Sequence, residues 1–187
     1  MHPDTDQTQP IVATKDIENA IEFACKDVFS TMLRTELTVG QAQIKTIIEA
    51  PSSCVITLVG LAGQWSGTGS LTSSGEFACK MASRLLGAEY ESVGEDVLDA
   101  VSEITNMVIG NVKTILEEKL GPMGLSTPTA IYGRNFQTRS AHSHDWVVVP
   151  FALGESHFSV QICLIPRHAG EEDSSRTSVH TPQVWPI

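Results

Sequence analysis

The pattern of this 187-residue chain predicts an α+β fold, with runs of strands packed against helices gathered on one side. Three observations predict it. Apolar residues recur at helical spacing over residues 16–34 and again over about 94–119. Shorter stretches rich in β-branched residues lie between and after them. Helices and strands do not alternate singly, as a doubly wound sheet requires.

Taken in order, residues 1–10 and 167–187 are polar, Ser/Thr/Pro-containing tails that bury little, which leaves 11–166 as the folded domain. Ile17, Ile21, Ala24, Val28 and Met32 mark one face of the first helix. Two strands follow over Gln43–Ala50 and Cys54–Leu61, separated by Pro51-Ser52-Ser53, and a third over Trp65–Leu71. Ser73 or Ser74 caps a helix that runs through Leu86 and stops at Gly87. The longest helix starts with Glu95 and Asp96 complementing its dipole, and Gly121-Pro122 ends it. Strands over Pro128–Tyr132, Asn135–Ser140, Asp145–Leu153 and Ser156–Ile165 complete the chain, with Gly133 and Gly154 at turns. Each long helix opens a helix-then-strands run, so the topology suggests a duplicated unit, although no residue-level repeat stands out.

Composition narrows the function. A net charge of −10 opposes binding to a nucleic-acid backbone, whose affinity rests on cations, and to an anionic membrane surface. Cys25, Cys54, Cys79 and Cys163 are scattered through apolar stretches and form no C-x-x-C, as buried reduced thiols would. The polar, acidic start does not resemble a signal peptide, and no apolar run is long enough to span a bilayer. The expectation is a soluble cytoplasmic protein.

The longest helix departs from a plain core helix. Val97, Val101, Ile104, Val108, Val112 and Ile115 make its buried stripe, with Leu98, Ile109 and Leu116 beside it. Opposite them Asp99, Glu103, Asn106, Gly110 and Lys113 form a continuous outward line. Asn and Gly are poor choices there, Gly costing about 1 kcal/mol against Ala in a helix interior. An ordinary solvated face accommodates these residues. So does a face built for another protein, with Gly110 permitting backbone-level approach.

The segment Asp99-Ala-Val-Ser-Glu103-Ile-Thr-Asn106 fits the D-x3-E-x2-N signature of the CheC/CheX/FliY phosphatases, and the chain resembles that family over about residues 15–166. Thr31-Met32-Leu33, Val59-Gly60-Leu61, the glycine-flanked strand Trp65–Leu71, the helix Ser74–Leu86 and Pro128–Gly133 carry the remainder of the likeness. A single E-x-x-N is the pattern of the CheX branch, since CheC members typically carry two. The resemblance implies a CheC/CheX-like fold, a homodimer and hydrolysis of phospho-aspartate on a CheY-like response-regulator receiver. It also implies that this chain binds no cofactor or metal, the Mg²⁺ belonging to the receiver.

Those residue types suit that chemistry. Hydrolysis of an acyl phosphate beside a metal requires a water held in line with phosphorus, and an amide orients water without acting as a strong base. The resemblance makes Asn106 the water-positioning residue and pairs Glu103 with the receiver's lysine, a contact costly to break from one side. A general-base role for Glu103 is the alternative. Asp99, Gly110 and Lys113 complete the partner-binding face. A rival reading keeps the docking and removes the chemistry, making the chain a receiver- or flagellar-switch-binding module. His142 and His144 offer a weak metal pair in what reads as a polar turn. The run Gly60–Gly69 lacks G-K-[ST] and reads as a hairpin turn instead of a phosphate cradle.

Overall fold

A computed structural model describes residues 13–46, 48–49, 54–133, 137–138 and 145–167. Both expected tails, apart from Arg167, and the His142/His144 segment lie outside the described residues. Among the described residues three helices, α1 (Thr14–Met32), α2 (Gly75–Leu86) and α3 (Glu95–Leu120), accompany ten strands. The strands are β1 (Thr38–Val39), β2 (Gln43–Lys45), β3 (Ile48–Glu49), β4 (Cys54–Gly63), β5 (Trp65–Ser74), β6 (Met123–Leu125), β7 (Thr129–Gly133), β8 (Gln137–Thr138), β9 (Trp146–Leu153) and β10 (Ser156–Pro166). No described helix is long and apolar enough to cross a membrane.

Local chemistry sets the helix ends. The Ser74 hydroxyl accepts the Phe77 N–H at 3.1 Å, satisfying one of the orphan donors at the start of α2. Gly87 closes α2 in the left-handed conformation at φ 70°. Gly121, at φ 76°, follows α3, and Arg34, at φ 54°, holds the corresponding place after α1. A non-glycine residue there strains the backbone.

Eight strands form one antiparallel sheet in the order β1-β9-β10-β5-β4-β6, with β2 also on β9 and β7 also on β4. The inward side chains of these strands and the apolar faces of α1, α2 and α3 share one core. Phe158 of β10 ties it together, its ring stacking on Phe29 of α1 at 4.9 Å, Phe77 of α2 at 5.2 Å and Phe151 of β9 at 5.2 Å. Stacked aromatics of this kind add about 0.5–1.5 kcal/mol per pair beyond their burial.

The sequence reading departs from the structure at three places. Gln43–Ala50, expected as one strand, is two: β2 stays on β9, while β3 pairs with β8 in a separate two-stranded sheet. The glycine run expected as a hairpin turn lies mostly inside β4 and β5, with only Gln64 between them. Gly67 and Gly69 are there for space. A Cβ on Gly67 would lie 1.9 Å from the Cys163 carbonyl oxygen, and one on Gly69 would lie 2.6 Å from Cδ1 of Ile109. Finally, β1 and β6, of two and three residues, are too short to carry a period and were not foreseen.

The suspected duplication is visible in the strand register. Add 87 to residues of the first unit's edge strands and subtract 91 from residues of β9. Thr38↔Ala152 then becomes Leu61↔Leu125, and Gln43↔Val148 becomes Thr57↔Ala130. Both match observed pairs. The same offset carries Arg34 onto Gly121, the two positive-φ positions that follow α1 and α3. The chain is therefore two helix–strand units related by a pseudo-two-fold axis between β5 and β10, each unit's edge strands completing the other's hairpin.

Gly69 of β5 lies against Ile109 of α3, which is fully buried. Substituting Gly69→Ala is expected to destabilise the fold by about 1–3 kcal/mol, an overpacking cost, measured as a lower denaturant midpoint with unchanged slope.

Candidate functional site on the outer side of the longest helix

α3 is fixed from below by Val97, Ala100, Val101, Ile104, Thr105, Val108, Ile109, Val112, Leu116 and Leu120, all buried. Thr105 was not expected inside, and its hydroxyl is satisfied by donating to the Val101 carbonyl at 2.7 Å. Ile115, expected in the buried stripe, is 36% exposed and lies toward the rim. The buried arc is thus rotated slightly from the sequence reading, and the outward line is unaffected.

Asp99 and Glu103 are exposed, while Asn106, Gly110 and Lys113 are half-buried. Glu103 and Asn106 stand one turn apart, a rise of roughly 4.5 Å, on the same side. Among the described residues neither Asp99 nor Glu103 has a salt-bridge partner. The nearest atom to a Cβ built on Gly110 would be Leu125 Cδ1 at 3.7 Å, an ordinary contact, so nothing among the described residues demands glycine there.

Lys113 is differently placed. Its ammonium lies 2.7 Å from Glu117 Oε1, which also accepts the Met123 N–H at 2.7 Å. The hydrogen bond from Lys113, and next that N–H, hold the Glu117 carboxyl below its ordinary range. This carboxylate joins the end of α3 to the start of β6. Sequence reasoning missed it, because the link depends on the turn at Gly121 bringing Met123 back onto the helix.

A cleft lies elsewhere among the described residues. About 1310 Å³ opens between α2, the linker into α3 and the β9–β10 turn, lined by Phe77, Lys80, Tyr90, Val93 and Tyr132 among others. No residue of the α3 line reaches it. Among the described residues no group of His, Cys, Asp or Glu is arranged to hold a metal. A carboxylate and an amide on a convex helix surface provide no enclosed pocket for a small molecule. They suit a substrate that brings its own pocket, and hence a macromolecular one.

The chain is thus a small α+β domain with polar chemistry on an outer helix face instead of in that cleft. Residues 55–152 match the family described as "Chemotaxis phosphatase CheX", and the chain belongs to that family. It is 29% identical over 125 residues to the CheY-P phosphatase CheX of Thermotoga maritima, covering 66% of this chain and 80% of that protein. Its structure is similar to that of the chemotaxis protein CheX from Vibrio vulnificus, with a TM-score of 0.72, 28% identity and coverage of 80% and 99% of the two chains. It is also similar to a chain of the CheX–CheY–BeF3–Mg²⁺ complex from Borrelia burgdorferi, with a TM-score of 0.68, 26% identity and coverage of 79% and 97%.

Two outcomes follow from this geometry. Gly110→Ala is expected to raise stability by up to about 1 kcal/mol, the helix-propensity gain, read as a higher thermal midpoint. Lys113→Ala is expected to destabilise near neutral pH. The Glu117 carboxyl is held low in the folded chain, so its contribution is present above the unfolded carboxylate pKa and fades as pH falls through the folded one. The stability gap between the two proteins should therefore narrow on acidification, followed by thermal unfolding across pH.

Proposed function

We propose that the chain hydrolyses phospho-aspartate on a CheY-like response-regulator receiver domain, terminating a chemotaxis or related two-component signal. The observation that carries this reading is the outward Glu103–Asn106 pair on α3, in a chain that belongs to the CheX family. In the proposed complex α3 lies across the receiver's phosphorylation site. The receiver's own acidic residues hold Mg²⁺, which neutralises charge on the phosphoryl group. Asn106 inserts beside phosphorus, its amide holding the attacking water in line with the aspartyl leaving oxygen. Restricting that water supplies catalysis by positioning, with no proton abstraction by this chain.

Glu103, one turn away and without an internal partner among the described residues, pairs with a lysine of the receiver and fixes the register of the helix. Asp99 supports the edge of that contact. Gly110 admits the receiver's backbone, and Lys113 meets the partner as one half of its ion pair with Glu117. The four free, buried cysteines support a reducing compartment, the cytoplasm. A homodimer is part of the proposal. It is supported by β7, which pairs only with β4 among the described residues and leaves Ile131 36% and Tyr132 47% exposed.

Phosphate release from a phosphorylated receiver tests the reading. Asn106→Ala is expected to lower kcat roughly 100-fold or more while receiver binding persists. Glu103→Gln is expected to weaken binding. Loss of turnover at full affinity would instead assign Glu103 as the base, and equal turnover with and without Asn106 would leave a docking module.

A further inference from the structure

The pseudo-two-fold axis allows one half of the molecule to be read against the other, and it isolates what makes α3 different from α1. With the 87-residue offset, Ile17, Ile21, Cys25, Phe29 and Leu33 fall on Ile104, Val108, Val112, Leu116 and Leu120, every one of them buried. The outward line of α3 therefore has a counterpart on α1. Asp16 corresponds to Glu103, Asn19 to Asn106, Phe23 to Gly110 and Lys26 to Lys113. Carboxylate, amide and lysine recur at the same spacings on both helices.

The two lines nevertheless differ in what surrounds the carboxylate. The helices run antiparallel, as contacts at two levels show: Asp16 with Lys119, and Asp27 with Asn111. Lys119 reaches across from the end of α3 and holds Asp16 at 2.7 Å, leaving that carboxylate engaged. Under the same symmetry operation the counterpart of Lys119 is residue 32, at the end of α1. It is a methionine, 46% exposed, and it has no charge to offer. Further along the line Phe23, 65% exposed, stands where α3 has only the hydrogen of Gly110.

We propose that Met32 is a positioning residue for Glu103. It occupies the place from which, in the other half of the molecule, a lysine captures the carboxylate, and so it leaves Glu103 open to a cation on the partner. The apolar side chain gives Glu103 a neighbour that neither pairs with it nor repels it. This inference rests on the proposed receiver-docking role of Glu103, and it takes the placement of Met32 from the pseudo-two-fold correspondence with Lys119.

The test introduces the missing cation. Met32→Lys recreates at the second carboxylate the arrangement of Lys119 with Asp16, and Met32→Leu keeps the apolar character. Two readouts on the intact chain separate placement from function. In thermal unfolding, Met32→Lys is expected to be at least as stable as the parent, with any gain lost in a Glu103→Gln background; a double-mutant cycle isolates that coupling. In phosphate release from a phosphorylated receiver, Met32→Lys is expected to raise KM at least tenfold with kcat little changed, while Met32→Leu keeps the parent values. A cycle without coupling would show that residue 32 does not face Glu103 and would overturn the proposal. Coupling accompanied by a KM within twofold of the parent would overturn it as well. Should the parent chain release no phosphate, the receiver-phosphatase reading falls, and affinity for a BeF3-activated receiver decides in place of KM.

Discussion

The molecule depends on how closely α3 lies against the sheet. Ile109 presses onto β5 where Gly69 has no side chain, and the rest of the buried arc seals the helix over the core. That contact sets the rotation of α3 about its own axis, and the rotation decides which residues point outward. Each residue turns the helix by about 100°, so a slip of one residue in seating would carry Asn106 toward the core or Ile104 toward solvent. Packing thus presents the chemistry. The exposed side of α3 contributes little to stability and accepts residues, Asn106 and Gly110 among them, that a helix chosen for stability alone would avoid.

A convex site has consequences for mechanism. An enzyme that encloses its substrate obtains its electrostatics from a dry pocket of its own. Here the cleft by α2 and the Glu103–Asn106 pair are separate, with Glu103 exposed and Asn106 half-buried on the outer side of α3. In the proposed reaction the receiver supplies the metal, the phosphoryl group and the walls, and this chain adds an amide and a registration charge. The −10 net charge fits such a division, since the metal-bearing surface need not be matched by cations on this side.

Much of this was legible in the sequence, for reasons that differ by element. The period of α1 and α3 is strong because each buries one face over several turns, and the caps at Ser74 and Gly87 are local chemistry that declares itself. The outward line on α3 followed from the same periodicity. Strands β1 and β6 were invisible because they are short and owe their existence to partners far along the chain. The glycines of β4 and β5 resembled a turn, and only the closeness of Cys163 and Ile109 explains them as strand residues. The engagement of Lys113 by Glu117, and the rim position of Ile115, depend on tertiary geometry that spacing does not encode. The duplication was faint for a related reason. Each half conserves the pattern of burial while most side chains differ, so the repeat is plain in strand register and weak in residue identity.

Which surface meets the receiver decides how the chain works, and a backbone NMR titration of the chain with a BeF3-activated receiver measures that directly. The largest shifts should follow the outward side of α3 from Asp99 through Glu103 and Asn106 to Gly110, with the matching stretch of α1 from Asp16 to Phe23 little changed. Shifts concentrated on α1, or in the cleft by α2, with α3 silent would contradict it.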